Sequence, residues 1–154
     1  GGGEIMMATR GGQVIRFLED ELRTTQRPSK GVRGMTLSPG DQVISMEAVS
    51  QKNLEREPLL LFITEQGRGK KVPLAEFSPQ KRAGKGNLGI KLSDDDGLKE
   101  VKLMERGEEV LLCSERGKAV RLSIDDVSQF QRYAQGVKLM ELEEYDRVSV
   151  ATVI

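Results

Sequence analysis

The chain contains no histidine, no tryptophan and one cysteine among 154 residues, and aromatic residues make up only 4% of it. Without imidazole there is no histidine general base and no histidine-ligated metal. The lone thiol, Cys113, cannot form an internal disulfide. It lies in the apolar stretch VLLCS and reads as a small buried hydrophobe in a reducing, cytoplasmic setting. No apolar run approaches the roughly 20 residues a membrane helix needs, and no signal peptide opens the chain, so no membrane role is expected. The initial GGG reads as a linker. The GRGKK stretch at 67–71 lacks the spacing of a nucleotide-binding P-loop. No catalytic residue, metal site or cofactor is expected, and a self-contained enzyme is a poor fit.

What the chain does have is charge, 31% of residues with 24 cations against 24 anions, and 17 glycines. Its length is enough to bury roughly two thirds of the unfolded surface. Aligning the chain with itself resolves it into three repeats. IMMATRGGQVIRF, LLFITEQGRGKKV and VLLCSERGKAVRL each place Thr or Ser three residues before a glycine, at Thr9–Gly12, Thr64–Gly67 and Ser114–Gly117. A cation follows that glycine by four positions (Arg16, Lys71, Arg121) and an arginine by fifteen (Arg27, Arg82, Arg132). Another glycine comes four later, at Gly31, Gly86 and Gly136. The periods are 55 and 50 residues, and the five extra residues fall in the polar segment SQKNLEREP, which reads as a loop.

Each repeat carries four strand signals. The first two are Ile5–Ala8 and Val14–Phe17, Leu59–Ile63 and Lys70–Val72, Val110–Cys113 and Ala119–Leu122. The third is Val32–Leu37, Leu88–Leu92 and Val137–Leu142, and the fourth Val43–Met46, Leu98–Val101 and Val148–Ala151. The segments EDEL, LAEF and DDV can each supply a short helical turn. Four-stranded units at this period predict an all-β, propeller-like disc. Residues 1–49, 58–105 and 106–154 form its three blade repeats, with 50–57 a linker loop. A single blade cannot bury both faces, so blades must stack.

The neutral total hides an alternation in step with the repeat. Residues 1–34, 58–92 and 116–138 carry net charges of +2, +5 and +3, while 35–57, 93–115 and 139–154 carry −2, −5 and −3. Equivalent positions in stacked blades occupy equivalent edges, which predicts a basic rim suited to a polyanion. Its densest part is QKRAGKG (80–86), where Gly84 and Gly86 let the backbone approach a phosphate and Lys81, Arg82 and Lys85 neutralise it. With so few aromatics, single-strand stacking has little support, and duplex backbone is favoured.

The pattern T-x-x-G-x-x-x-[K/R] followed by R-x-x-x-G, at about 50 residues, resembles the C-terminal domain repeat of bacterial DNA gyrase A and its relative in topoisomerase IV. ITEQGRGKKVPLAEF is similar to the common form of that repeat and QRYAQGVKLMEL to a terminal one. The resemblance implies a β-pinwheel, a disc of five or six blades in which adjacent blades exchange strands. It also implies a non-catalytic module that bends and wraps double-stranded DNA around a basic perimeter. The ATPase then lies in the other gyrase protein and the cleaving tyrosine in the N-terminal part of gyrase A; Tyr133 and Tyr145 match no catalytic motif. Gln80, Lys81, Arg82, Ala83, Gly84, Lys85 and Gly86 resemble the gyrase box Q-R-R-G-G-K-G, departing at Lys81 and Ala83 and lying in the second repeat rather than the first. Gyrase is favoured over topoisomerase IV.

The expected phosphate contacts are Arg16, Arg27, Lys30, Arg33, Lys70, Lys71, Lys81, Arg82, Lys85, Lys118, Arg121, Arg132 and Lys138. Three blades leave two open ends, so a homodimer of three-blade units is a further expectation. The competing function is a protein-interaction propeller that binds a basic partner through the acidic turns Asp94–Asp96 and Glu141–Asp146.

Overall fold

In a computed structural model, residues 2–22 and 30–154 are described; Arg27 lies outside them. Repeat one supplies β1 (Glu4–Thr9), β2 (Gln13–Leu18) and β3 (Val43–Val49), followed by a short helix α1 (Gln51–Glu55). Repeat two supplies β4 (Leu59–Thr64), β5 (Arg68–Pro73), β6 (Asn87–Leu88) and β7 (Leu98–Met104). Repeat three supplies β8 (Glu109–Ser114), β9 (Ala119–Ser123), β10 (Val137–Lys138) and β11 (Val148–Val153). Three 3-10 turns, Glu19–Glu21, Leu74–Glu76 and Ile124–Asp126, occupy the segments expected to supply them.

The sheets do not coincide with the repeats. Their orders are β3-β1-β2-β6, β10-β5-β4-β7 and β11-β8-β9. Thus β6 of repeat two closes the sheet of repeat one by pairing with β2, and β10 of repeat three closes that of repeat two by pairing with β5. Such exchange explains why the third expected strand shrinks to two residues. Its ladder partner belongs to the preceding repeat, and only the residues directly beside that edge can pair. In repeat one, residues 32–37 form no strand and bond instead to turn 80–86 of repeat two.

The T-x-x-G motif closes the hairpin between the first two strands of each repeat. The amide of Gly12 donates to the Thr9 carbonyl, and the Gln13 amide to the Thr9 hydroxyl. The same pair of bonds recurs at Thr64 and Ser114. The glycine carbonyl then binds the next repeat: Gly12 accepts from Gly89 at 2.7 Å and Gly67 from Leu139 at 2.7 Å. One motif therefore both turns the chain and docks the following blade.

Burial follows position in the stack. β4 reads LLLFIT and is buried throughout, because the middle sheet has a neighbour on each face. Leu60 and Phe62 pack towards blade one with Met6, Ala8 and Val14; Leu61 and Ile63 pack towards blade three with Val110 and Leu112. β8 in the last blade has no such cover on its far face. Leu111 is 40% exposed, and Cys113 beside it is half-buried rather than enclosed as its apolar surroundings suggested. The expected loop at 50–57 contains α1 instead. Ser50 and Asn53 cap it reciprocally, and Leu54 packs on the core between blades one and two.

Candidate nucleic-acid interface

The cations of the repeat divide into two groups according to what lies beside them. The residue four after the motif glycine points at the 3-10 turn of the next repeat. Arg16 is buried, pairs with Glu4 through Nε and Nη2 (2.7 and 2.6 Å to Oε1), and donates Nη1 to the carbonyls of Leu74 and Phe77 at 3.2 and 2.7 Å. Lys71, half-buried, donates Nζ to the Ile124 carbonyl at 2.9 Å. Arg121 stands in the last blade, where no turn follows. It is exposed and turns back to a bidentate pair with Glu109, whose carboxyl it holds below the usual range.

Lys70 is fully enclosed. Its Nζ donates to the carbonyls of Gln131, Arg132 and Ala134 at 2.7, 2.8 and 2.8 Å and lies 5.7 Å from the Phe62 ring centroid. Burial pushes its pKa down to about 8, with Glu76 opposing the shift, so near neutral pH it keeps three protons for three acceptors. Two of the expected phosphate contacts are thereby corrected. Arg16 and Lys70 are inter-blade clamps with their donors satisfied inside the protein, and Lys71 is largely committed in the same way.

Apart from Lys118 in the last hairpin turn and Arg121 in β9, the other cations lie along the segments around residues 30–36, 80–86 and 130–138, which hydrogen-bond from repeat to repeat. Turn 80–86 packs against residues 33–36: Ala83 donates its amide to the Gly34 carbonyl, Thr36 donates its amide to the Gly84 carbonyl, and Arg82 Nη1 donates to the Arg33 carbonyl at 2.6 Å. Turn 130–136 packs in the same manner on residues 88–93. Arg132 Nη1 donates to the Leu88 carbonyl at 3.4 Å, and Lys91 donates its amide to Ala134. Arg33, Arg82, Lys85, Arg132 and Lys138 thus fall on one continuous band. Lys30, Arg33, Lys81, Lys85 and Lys118 are exposed and make no ion pair among the described residues. Lys138 is exposed with Glu141 3.4 Å away, and Arg82 is half-buried.

Within QKRAGKG, Gly86 serves the contact between blades. Gly86 has φ +75°, and a Cβ there would lie 2.4 Å from the Val14 carbonyl oxygen; Gly136 meets the Gly69 oxygen at the same distance. This glycine lets the exchanged segment approach the preceding blade. Ala83 has φ +73°, a left-handed conformation that its side chain opposes.

The acidic turns are built into the frame as well. Asp41, Asp96 and Asp146 accept the amides of Gly11, Gln66 and Arg116, bracing each T-x-x-G turn. Glu65 forms a bidentate pair with Arg10 of blade one at 2.8 and 3.2 Å, which lowers its carboxyl. Sequence reasoning missed Arg10–Glu65 and Glu4–Arg16. Only the latter left a trace: a glutamate twelve residues before the clamp cation in repeats one and three. Tyr133, in turn 130–136, was weighed in the sequence only against a catalytic motif.

The chain matches the family described as DNA gyrase C-terminal domain, beta-propeller, over residues 3–50, 58–102 and 108–154. It is 33% identical over 150 residues to the DNA gyrase A protein of Haloquadratum walsbyi, covering 97% of this chain and 17% of that protein. To the DNA gyrase A protein of Pseudomonas aeruginosa it is 36% identical over 143 residues, 92% of this chain and 15% of the relative. A solved DNA gyrase A C-terminal domain superposes with a TM-score of 0.87 at 26% identity, covering 97% of this chain and 50% of that one. The C-terminal domain of a DNA topoisomerase IV superposes at 0.89 with 23% identity, 99% of this chain and 46% of that one, a likeness of fold. The chain spans less than a fifth of these gyrase A relatives and about half of these solved domains.

Proposed function

Since the chain belongs to the DNA gyrase C-terminal domain, beta-propeller family, we propose that it is a non-catalytic module that binds and wraps duplex DNA by its phosphate backbone. The observation that carries this is the band of perimeter cations joined from repeat to repeat by hydrogen bonds between consecutive exchanged segments. The contacts along the band are Lys30, Arg33, Lys81, Arg82, Lys85, Arg132 and Lys138, with Arg27 on the same sequence pattern; Lys118 and Arg121 lie off the band in the last blade, where Arg121 must leave Glu109 to reach a phosphate. Lys81 and Lys85 lead, being exposed and unpaired within the described residues. Recognition is by charge and bendability, without base-edge readout. In the whole protein the module serves an ATP-dependent, cytoplasmic gyrase, beside the DNA-cleaving part of gyrase A and the separate ATPase protein. Gyrase is preferred to topoisomerase IV on the box-like stretch 80–86.

Bending a short duplex smoothly takes on the order of 1–6 kcal/mol, so wrapping needs several contacts at once. About eight neutralised phosphates imply a slope of log affinity against log salt near −7. The test is a gel-shift titration with duplexes of about 20 and about 100 base pairs at two salt concentrations. Salt-sensitive binding that tightens with length is expected; equal or absent affinity at low salt overturns the proposal. Replacing Lys81 and Lys85 together by Ala is expected to flatten the slope by about two. An unchanged slope would remove this turn from the interface.

A further inference from the structure

Turns two and three occupy equivalent places on the perimeter but differ in chemistry. Where turn two presents Lys81 and Lys85, turn three has Gln131 and Gln135, and where turn two has Ala83, turn three has Tyr133. Tyr133 is 62% exposed, yet its ring is held. The Arg132 guanidinium lies 4.9 Å from the ring centroid and donates Nη2 to the phenol oxygen at 3.0 Å. That guanidinium also lies 5.6 Å from the Phe77 ring, so Phe77, Arg132 and Tyr133 form a stack running outward from the core. Beneath it, the enclosed Lys70 fixes the carbonyls of Gln131, Arg132 and Ala134. Arg132 stands on one side of the ring, and the residue as a whole remains 62% exposed, enough for a ring face to be reached from solvent.

We propose that the open face of Tyr133 is a stacking platform for a nucleobase of duplex DNA, taken up where the duplex bends over turn three and a base step opens. The proposal rests on the duplex-DNA function given above. Bent duplexes yield at flexible steps, and a protein gains from filling the gap with an apolar or aromatic side chain. An aromatic ring already immobilised by its neighbours loses little further rotamer freedom on stacking. Tyr133 is neutral, so its contribution adds affinity without adding counterion release, in contrast to Arg132 behind it.

The chain has two tyrosines and no tryptophan, so the Tyr145→Phe variant emits tyrosine fluorescence from Tyr133 alone. Titrating it with a duplex of about 100 base pairs at low salt, with gel shift run in parallel, is expected to quench that emission as the complex forms. Tyr133→Ala should bind about five-fold or more weakly at every salt concentration, with the salt slope unchanged. Tyr133→Phe, which keeps the stacking ring, should restore most of the affinity, and Arg132→Ala should reduce the slope by about one. Emission that stays unquenched in a formed complex overturns the platform and leaves the DNA function standing. So does a Tyr133→Ala variant that binds as the parent, or whose slope falls as in Arg132→Ala. Absence of any complex at low salt overturns both.

Discussion

Position relative to the neighbouring blade decides what each cation does. Arg16 and Arg121 occupy the same place in the repeat, yet one is buried against a following turn and the other is exposed. Replacing Arg16 by Ala would leave Glu4 enclosed without its cation and two carbonyls without a donor. A loss of about 3–5 kcal/mol is expected in urea denaturation, against less than about 0.5 kcal/mol for Lys81→Ala on the open perimeter. Ala83 offers the opposite case. Ala83→Gly relieves the left-handed backbone and should stabilise by about 0.5–1 kcal/mol, read as a higher denaturation midpoint. In the pattern of residues alone Arg16, Lys70 and Lys81 look interchangeable. What separates them is desolvation, a property of contacts between residues more than 50 positions apart.

Between elements, the exchanged segments and the hairpin turns hold adjacent blades together. Arg10 and Glu65 join the hairpins of blades one and two, and the arginine lowers the glutamate below its ordinary value near 4.5. For a depressed carboxylate the unfolded chain takes up its proton first. The stabilisation is therefore complete above the ordinary value and disappears as pH falls through the lowered one. Denaturation midpoints followed from about pH 6 down to about pH 3 should drop less steeply in Glu65→Gln than in the parent. The first, second and fourth strands of every repeat were legible as apolar runs bounded by glycine or aspartate turns. The third was not. Val32–Leu37, Leu88–Leu92 and Val137–Leu142 have the composition of strands, but their pairing depends on an edge in the preceding repeat. Repeats two and three each find that edge with a ladder of two residues, Asn87–Leu88 and Val137–Lys138.

For the whole molecule, the two end faces differ from every internal one. Leu98 and Val101 are fully buried between blades, while their counterparts in blade one, Val43 and Met46, are 40% and 65% exposed. At the other end the third sheet has three strands and shows Leu111, Val150 and Ile154. Each end presents the surface that an internal blade buries against its neighbour. Two copies of the chain meeting end to end would reproduce the internal contacts twice and complete a six-blade count. Light scattering is expected to show a mass rising with concentration towards twice that of the chain, and Leu111→Glu should abolish the rise. A single-chain mass at the highest concentration would exclude the pairing.

The sequence by itself determined the repeat, its period, the strands within it and the alternation of charge, because each follows from local residue spacing that survives in three copies. The tertiary structure decided which sheet each exchanged strand completes and which cations became clamps. It also decided that Tyr133 stands out from the perimeter on a stack of Arg132 and Phe77. Those outcomes depend on which surfaces of consecutive repeats meet, and burial and hydrogen bonding across that meeting carry energies that no single repeat contains.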